Sequence, residues 1–176
     1  MTRHKETGDE PLRVVTVLAA SVRVGDWLAG GISPDAPTTP VQPIASAWHI
    51  TAVRVVPGHE GEQVQMASGS FGFGELTPHA ADSQCLVIRG LRGELRHPRA
   101  DVVYAGNVRT GDWFAGWVHA DNRESPVRLL DAALPVTGVL IVPGNRGGHH
   151  KEVLISGGGC DLPPQGIADQ CLVIRG

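Results

Sequence analysis

The segment VRVGDWLAG at Val22–Gly30 recurs as VRTGDWFAG at Val108–Gly116. The segment QCLVIRG at Gln84–Gly90 recurs letter for letter at Gln170–Gly176. Both recurrences, from 22 to 108 and from 84 to 170, are displaced by 86 residues. Between them, TAVRVVPG at Thr51–Gly58 is matched by TGVLIVPG at the same displacement. Three separated blocks at one displacement indicate an internal repeat, in which each copy forms one structural unit.

The repeat divides the chain into four parts. We expect a flexible N-terminal tail over residues 1–13, a first repeat over 14–90, a linker over 91–99 and a second repeat over 100–176. The linker, LRGELRHPR, is basic, whereas both repeats carry more carboxylates than basic side chains. Positive charge is therefore concentrated between the two units.

Short segments rich in valine and isoleucine, bounded by glycine or proline, predict strands in both repeats. In the first repeat they are Arg13–Leu18, Trp48–Val56, Gln63–Ala67 and Cys85–Arg89. They recur too closely for crossover helices, so the sheets should be antiparallel. The predicted class is all-β, with two small antiparallel β-barrels of SH3-like or related type packed as a pseudo-twofold pair. A single sandwich shared by both repeats is the alternative.

One segment is compatible with a short helix. In Ser125–Leu134, SPVRLLDAAL, Ser125 can act as the N-cap and Pro126 can occupy the first turn. The corresponding stretch of the first repeat carries Pro43 in its interior, which disfavours a helix there.

Composition limits the possible functions. The 176 residues are 41% hydrophobic and 19% charged, which is enough apolar material for a buried core. A net charge of −3 argues against a protein that grips nucleic acid through its overall charge. Three cysteines and no long apolar run predict a cytoplasmic protein without a membrane span. Arginine greatly outnumbers lysine, which indicates a GC-rich bacterial or phage genome.

The repeated Gly-Asp-Trp triplet is typical of a tight turn that the fold needs twice. Glycine supplies a positive φ, aspartate bonds nearby backbone amides and tryptophan seeds each core. The predicted structural residues are Gly25, Asp26, Trp27, Gly111, Asp112 and Trp113.

The Val24-Gly25-Asp26 turn resembles the early turn of the Hint fold found in inteins and hedgehog autoprocessing domains. Autoprocessing in that fold needs a nucleophile at the start of the domain and a His-Asn pair or its equivalent at the end. Both repeats end instead in LVIRG. The resemblance therefore implies a shared turn and no shared activity.

Tryptophans that differ between the repeats are the candidate binding residues. Trp117 corresponds to Gly31 and Trp48 to Leu134, so the fold does not require either. A position that accepts glycine in one copy is not a deep core position, because the exchange would leave a cavity. With its neighbours, Trp117 suggests a contact surface for a protein partner or for self-association. The predicted binding residues are Trp117, His119, Arg123 and Trp48.

Two other functions remain as alternatives. A nucleic-acid-associated protein could use the linker residues Arg92, Arg96 and Arg99. A small metal-dependent enzyme could use His149, His150 and Cys160, with Cys171 nearby in sequence. No arrangement of nucleophile, base and orienting group is evident, so the sequence favours a non-enzymatic module without a cofactor.

Overall fold

The computed structural model describes residues 10–36, 40–69, 74–90, 95–144 and 150–176. These residues form an all-β protein with two antiparallel sheets, as predicted from the sequence. The helical segments among them are two three-residue 3-10 turns, Ala19–Ser21 and Ala105–Asn107. Within this part of the chain, no helix is long and apolar enough to cross a membrane.

Among the described residues, each half of the chain contributes seven strands. Those of the first half are β1 Arg13–Leu18, β2 Trp27–Ile32, β3 Val41–Gly58, β4 Gly61–Ser68, β5 Gly74–Glu75, β6 His79–Ala80 and β7 Gln84–Arg89. Those of the second half are β8 Arg99–Tyr104, β9 Trp113–Val118, β10 Val127–Pro143, β11 Lys151–Gly157, β12 Cys160–Asp161, β13 Gln165–Gly166 and β14 Gln170–Arg175.

The two sheets have the same strand order. The first runs β1-β7-β2-β3-β4-β5 with β6 on β4, and the second runs β8-β14-β9-β10-β11-β12 with β13 on β11. The registers agree as well, since Arg13 lies opposite Arg89 and Arg99 lies opposite Arg175. The strand pairs found among the described residues leave each path open.

A glycine in β2 and its counterpart in β9 allow the long strands to bend across their neighbours. The pairing of β2 with β3 shifts register between Leu28 and Gly30. A Cβ at Gly30 would collide with the backbone of Gln42, and one at Gly116 would collide with the backbone of Arg128. Only glycine permits this close approach, which explains its presence in both copies.

The helix predicted for Ser125–Leu134 is wrong. This segment forms the start of β10, which runs from Val127 to Pro143 and pairs with β9 and then β11. Helix compatibility is a weak local preference, and pairing with strands distant in sequence overrides it. The corresponding strand β3 likewise begins earlier than the sequence predicted, at Val41.

In the part of the chain that the structure describes, the core consists of three clusters. One lies within the first half and contains Leu28 and Ile50. A second lies within the second half and contains Phe114 and Val136. The third is shared, because buried side chains from both halves meet in it; its members include Val14, Ile32, Leu86, Ile88, Ala100, Val118, Leu172 and Ile174. The two halves therefore pack directly on each other.

Two reciprocal backbone hydrogen bonds cross this shared cluster. The N–H of Ala47 donates to the carbonyl of Pro98 at 2.8 Å, and the N–H of Ala133 donates to the carbonyl of Leu12 at 2.7 Å. Leu12 was assigned from the sequence to the tail and Pro98 to the linker. Both are buried parts of the fold.

Candidate functional site

The repeated Gly-Asp pair makes the same turn in both halves. Gly25 has a φ of +94° and Gly111 a φ of +95°, a region that favours glycine. The Oδ2 atom of Asp26 accepts the N–H of Arg23 at 2.9 Å. Asp112 makes the equivalent bond at the same distance. These contacts agree with the turn chemistry predicted from the sequence.

Each of these aspartates also holds an arginine from the end of its own repeat, a contact that the sequence analysis missed. Arg89 donates from Nε to Oδ1 of Asp26 at 2.7 Å and from Nη2 to Oδ2 at 2.8 Å. The hydrogen bond to Asp26 raises the pKa of Arg89. Arg175 forms the same two-pronged pair with Asp112. The sequence did contain an indication of this contact, because the block that carries Asp26 and the block that carries Arg89 both recur. An acidic and a basic side chain are therefore repeated together.

Trp27 and Trp113 lie elsewhere than predicted. Both are half-buried and pack against the shared cluster instead of the centre of their own half. The following residues, Leu28 and Phe114, are fully buried in the separate cluster of each half. Successive strand residues face opposite sides of a sheet, so the tryptophan and its neighbour serve different clusters.

A cleft of about 650 Å³ in the second half brings together two of the predicted binding residues. Trp117 reaches it from β9, and His119 from the loop that follows. The end of β8 and the start of β14 complete the wall. The lining residues are Tyr104, Trp117, Val118, His119, Ala120, Asp121, Asn122, Gln165, Ala168, Asp169 and Gln170.

Trp117 forms the aromatic wall of this cleft. It is half-buried, and its ring meets that of Phe114 edge-on at a centroid distance of 5.2 Å. The guanidinium carbon of Arg128 lies 5.7 Å from the Trp117 ring centroid, within range of a cation–π contact. Trp117 is thus held by Phe114 and Arg128, packs against the cluster of the second half, and contributes to the lining of the cleft.

The loop after β9 is held by its own hydrogen bonds. The N–H of His119 donates to the carbonyl of Pro126 at 2.8 Å. The side-chain oxygen of Asn122 accepts the N–H groups of Glu124 and Ser125. This fixes His119 and Asn122 at the cleft. Arg123 is exposed on the same loop and does not line the cleft.

The other polar residues of the cleft were not identified from the sequence. Asp121 and Asp169 are exposed carboxylates, and Asp169 accepts the N–H of Gly166 at 2.7 Å. Among the described residues, the buried Oε1 atom of Gln170 has no hydrogen-bond partner. Tyr104 is 53% exposed. The sequence did hold a signal for Tyr104, because the first repeat has Leu18 at the same position.

The remaining predicted binding residues lie apart from this cleft. Trp48 is half-buried and packs against the cluster of the first half. In the linker, Arg96 and Arg99 are exposed, and Arg99 pairs with Asp101 at 3.1 Å. Arg92 falls outside the described residues. The proposed basic patch is therefore only partly described, and one of its charges is already paired.

The structure brings no metal ligands together in the part that it describes. His150 is exposed beside β11, and Cys160 is exposed at the start of β12. His149 is outside the described residues, and across the described ranges no group of three or more His, Cys, Asp or Glu could hold a metal ion. Burial raises the pKa of the Cys171 thiol to about 12, which disfavours the thiolate that a metal would need.

Neither a protein-family model, nor a curated protein, nor a solved structure matches the chain.

Proposed function

We propose that this chain is a non-enzymatic binding module that docks a protein partner through the cleft beside Trp117. The single observation that carries the proposal is the aromatic lining of that cleft, which the corresponding positions of the first half lack although both halves have the same strand order. Where the second half has Tyr104 and Trp117, the first has Leu18 and Gly31. Residues that the shared fold does not require are the ones available for binding.

The chemistry of the cleft suits a protein partner. Half-buried aromatic rings that sit among polar side chains are common anchors of protein interfaces. Trp117 is already fixed against Phe114, so little side-chain freedom would be lost on binding. His119 and Asn122 sit on a loop that its own hydrogen bonds hold in place. The site is therefore preorganised.

The proposal includes the finer architecture of two duplicated small barrels of SH3-like type, related by a pseudo-twofold axis. Equal strand orders and the reciprocal bonds of Ala47 and Ala133 support it. The N–H of Ala81 donates to the carbonyl of Glu62 in β4, and the N–H of Ala20, just after β1, donates to the carbonyl of Ala81. These hydrogen bonds connect the two ends of the sheet through the segment after β6, which supports a nearly closed barrel. A cytoplasmic location also belongs to the proposal, supported by three unpaired cysteines.

Site-specific photo-crosslinking in the cells that naturally contain the protein tests the docking role. A benzophenone amino acid is placed at Tyr104 in one variant and at Leu18 in a matched control. These two positions correspond in the repeat and are similarly exposed, at 53% and 48%. We expect a discrete crosslinked partner from position 104 and none of the same mass from position 18. Equal crosslinking from both positions would contradict a site restricted to the second half.

A further inference from the structure

We propose that the cleft beside Trp117 recognises a lysine or arginine side chain, presented by an extended segment of the partner protein. This inference rests on the proposed docking function and names the chemistry of the partner. It follows from the charges, the acceptors and the shape of the cleft.

The described residues that line the cleft include two carboxylates, and the guanidinium of Arg128 lies beside the cleft, over the ring of Trp117. The carboxylates are those of Asp121 and Asp169, and neither forms an ion pair with another described residue. No lysine or arginine is among the lining residues. The chain as a whole carries a net charge of −3, which favours the approach of a cationic segment.

An unpaired acceptor adds a requirement for an N–H donor. The Oε1 atom of Gln170, a residue that lines the cleft, is fully buried and has no partner among the described residues, so the side chain must turn toward the cleft before a ligand reaches it. A buried acceptor without a hydrogen bond is unfavourable, and a ligand that supplies an N–H relieves it. Ammonium and guanidinium groups supply several such donors together with a positive charge.

The aromatic residues suit the same ligand. Cations bind favourably over the faces of tryptophan and tyrosine rings. Arg128 of the chain itself already lies 5.7 Å from the centroid of Trp117, so that ring face is taken and the exposed ring of Tyr104 is the one available to a cation from the partner. Arg128 itself is not a lining residue of the cleft, whereas Tyr104 is one.

The shape of the site favours an extended peptide over a small free cation. A second cleft of about 450 Å³ shares Tyr104 and Gln170 with the first and continues along β8 past Val102 to Pro43. Two clefts joined at common residues accommodate successive side chains of a strand-like segment. In such a segment, the cationic side chain would enter the larger cleft while its neighbours follow β8.

The experiment measures binding of capped heptapeptides to the full chain by isothermal titration calorimetry. The peptides share a Gly/Ser background and differ only at the centre, which is arginine, lysine, citrulline, norleucine or glutamate. We expect the arginine and lysine peptides to bind at least tenfold more tightly than the neutral ones, and more weakly as salt is raised. The double variant Asp121→Asn/Asp169→Asn should lose at least tenfold in affinity for the basic peptides.

Asp35→Asn/Asp82→Asn is the matched control, because it removes two exposed carboxylates from the first half, one at the position that corresponds to Asp121 and one near the position that corresponds to Asp169. It should leave binding unchanged, and melting curves establish that all variants fold. Basic peptides that bind the double variant as tightly as the wild type would overturn the inference. So would the absence of any peptide binding. If neutral or acidic peptides bind more tightly than the basic ones, the cleft does not recognise a cation. If Trp117→Gly then loses that binding, the cleft remains a docking site. The docking role itself is tested separately, by crosslinking from position 104 against position 18.

Discussion

Arg175 donates from Nε to Oδ1 of Asp112 at 2.9 Å and from Nη2 to Oδ2 at 2.8 Å, and the two residues belong to the two blocks that recur in the chain. The pair ties the turn before β9 to the end of β14. Arg89 and Asp26 do the same in the first half. The recurring motifs are thus linked to each other, which accounts for their joint presence in both copies.

Removing one arginine should destabilise the fold strongly. Asp26 is only 5% exposed, so Arg89→Met leaves a buried carboxylate without its counterion. We expect the free energy of unfolding to fall by roughly 3–5 kcal/mol, as for other buried pairs that lose one partner. Denaturant unfolding measures the change. The double variant Asp26→Asn/Arg89→Met should regain part of the loss, and strictly additive effects of the two substitutions would contradict the pairing.

The reciprocal backbone hydrogen bonds between the halves should also contribute to the stability of the fold. Ala47→Pro and Ala133→Pro each remove an N–H donor and leave a carbonyl across the shared cluster unsatisfied. Each should lower the free energy of unfolding by roughly 2–3 kcal/mol. Ala133→Gly keeps the donor and should cost only about 1 kcal/mol. Calorimetry should show one unfolding transition, because the halves share a core; two separate transitions would contradict this.

Only one of the three thiols should react readily in the native protein. Cys160 is exposed, whereas Cys85 and Cys171 are buried and burial raises the pKa of both thiols. Thiolate is the reactive form, so the buried thiols should react with Ellman's reagent only after denaturation. The variant Cys160→Ser should show no rapid reaction at all. Rapid labelling of all three thiols at pH 8 would contradict the burial.

The raised pKa of Cys171 also predicts a loss of stability in alkali. In the unfolded chain the thiol loses its proton near its ordinary pKa of 9.0, whereas in the folded protein it keeps the proton up to about pH 12. Between these values the unfolded state binds fewer protons, so stability falls as pH rises, by up to about 1.4 kcal/mol per unit. In Cys171→Ala this part of the pH dependence should vanish. If the stability of Cys171→Ala depends on pH as that of the wild type does, the raised pKa of Cys171 is not the cause of the loss in alkali.

The tryptophans should differ in their cost to stability, though less than the sequence alone suggests. Trp113 packs against the shared cluster, so Trp113→Ala should lower the free energy of unfolding by about 3 kcal/mol. Trp117→Ala loses the edge contact with Phe114 and part of the packing on the cluster of the second half, and should cost about 2 kcal/mol. Denaturant unfolding of both variants compares them. Equal costs would place Trp117 in the core.

Much of the fold was predictable from local patterns. Strand β1 has the bounds predicted from its valine-rich sequence, and the antiparallel arrangement follows from the short spacing of strands. The start of β10 was not predictable from local patterns, because its strand conformation depends on pairing with β9, which the local sequence does not reveal. Arg89 and Asp26 are likewise brought together only by the fold.

The candidate site was partly predictable, through differences between the repeats. Comparing positions 86 residues apart identified Trp117, and the same comparison would have identified Tyr104. It would also have identified Asp169, which corresponds to Ser83, but not Asp121 and Gln170, because the first half has Asp35 and Gln84 at the same positions. The lining residues come from separate segments, and only the strand order of the second half brings them to one cleft.

The central claim is that one half carries the binding site on a scaffold common to both. The four tryptophans allow a direct test, since each indole N–H gives its own NMR resonance. Titration with the arginine-centred peptide should shift the resonance of Trp117 and leave those of Trp27, Trp48 and Trp113 in place, and the norleucine-centred peptide at the same concentration should shift it much less. Shifts at Trp48 without a shift at Trp117 would contradict the account.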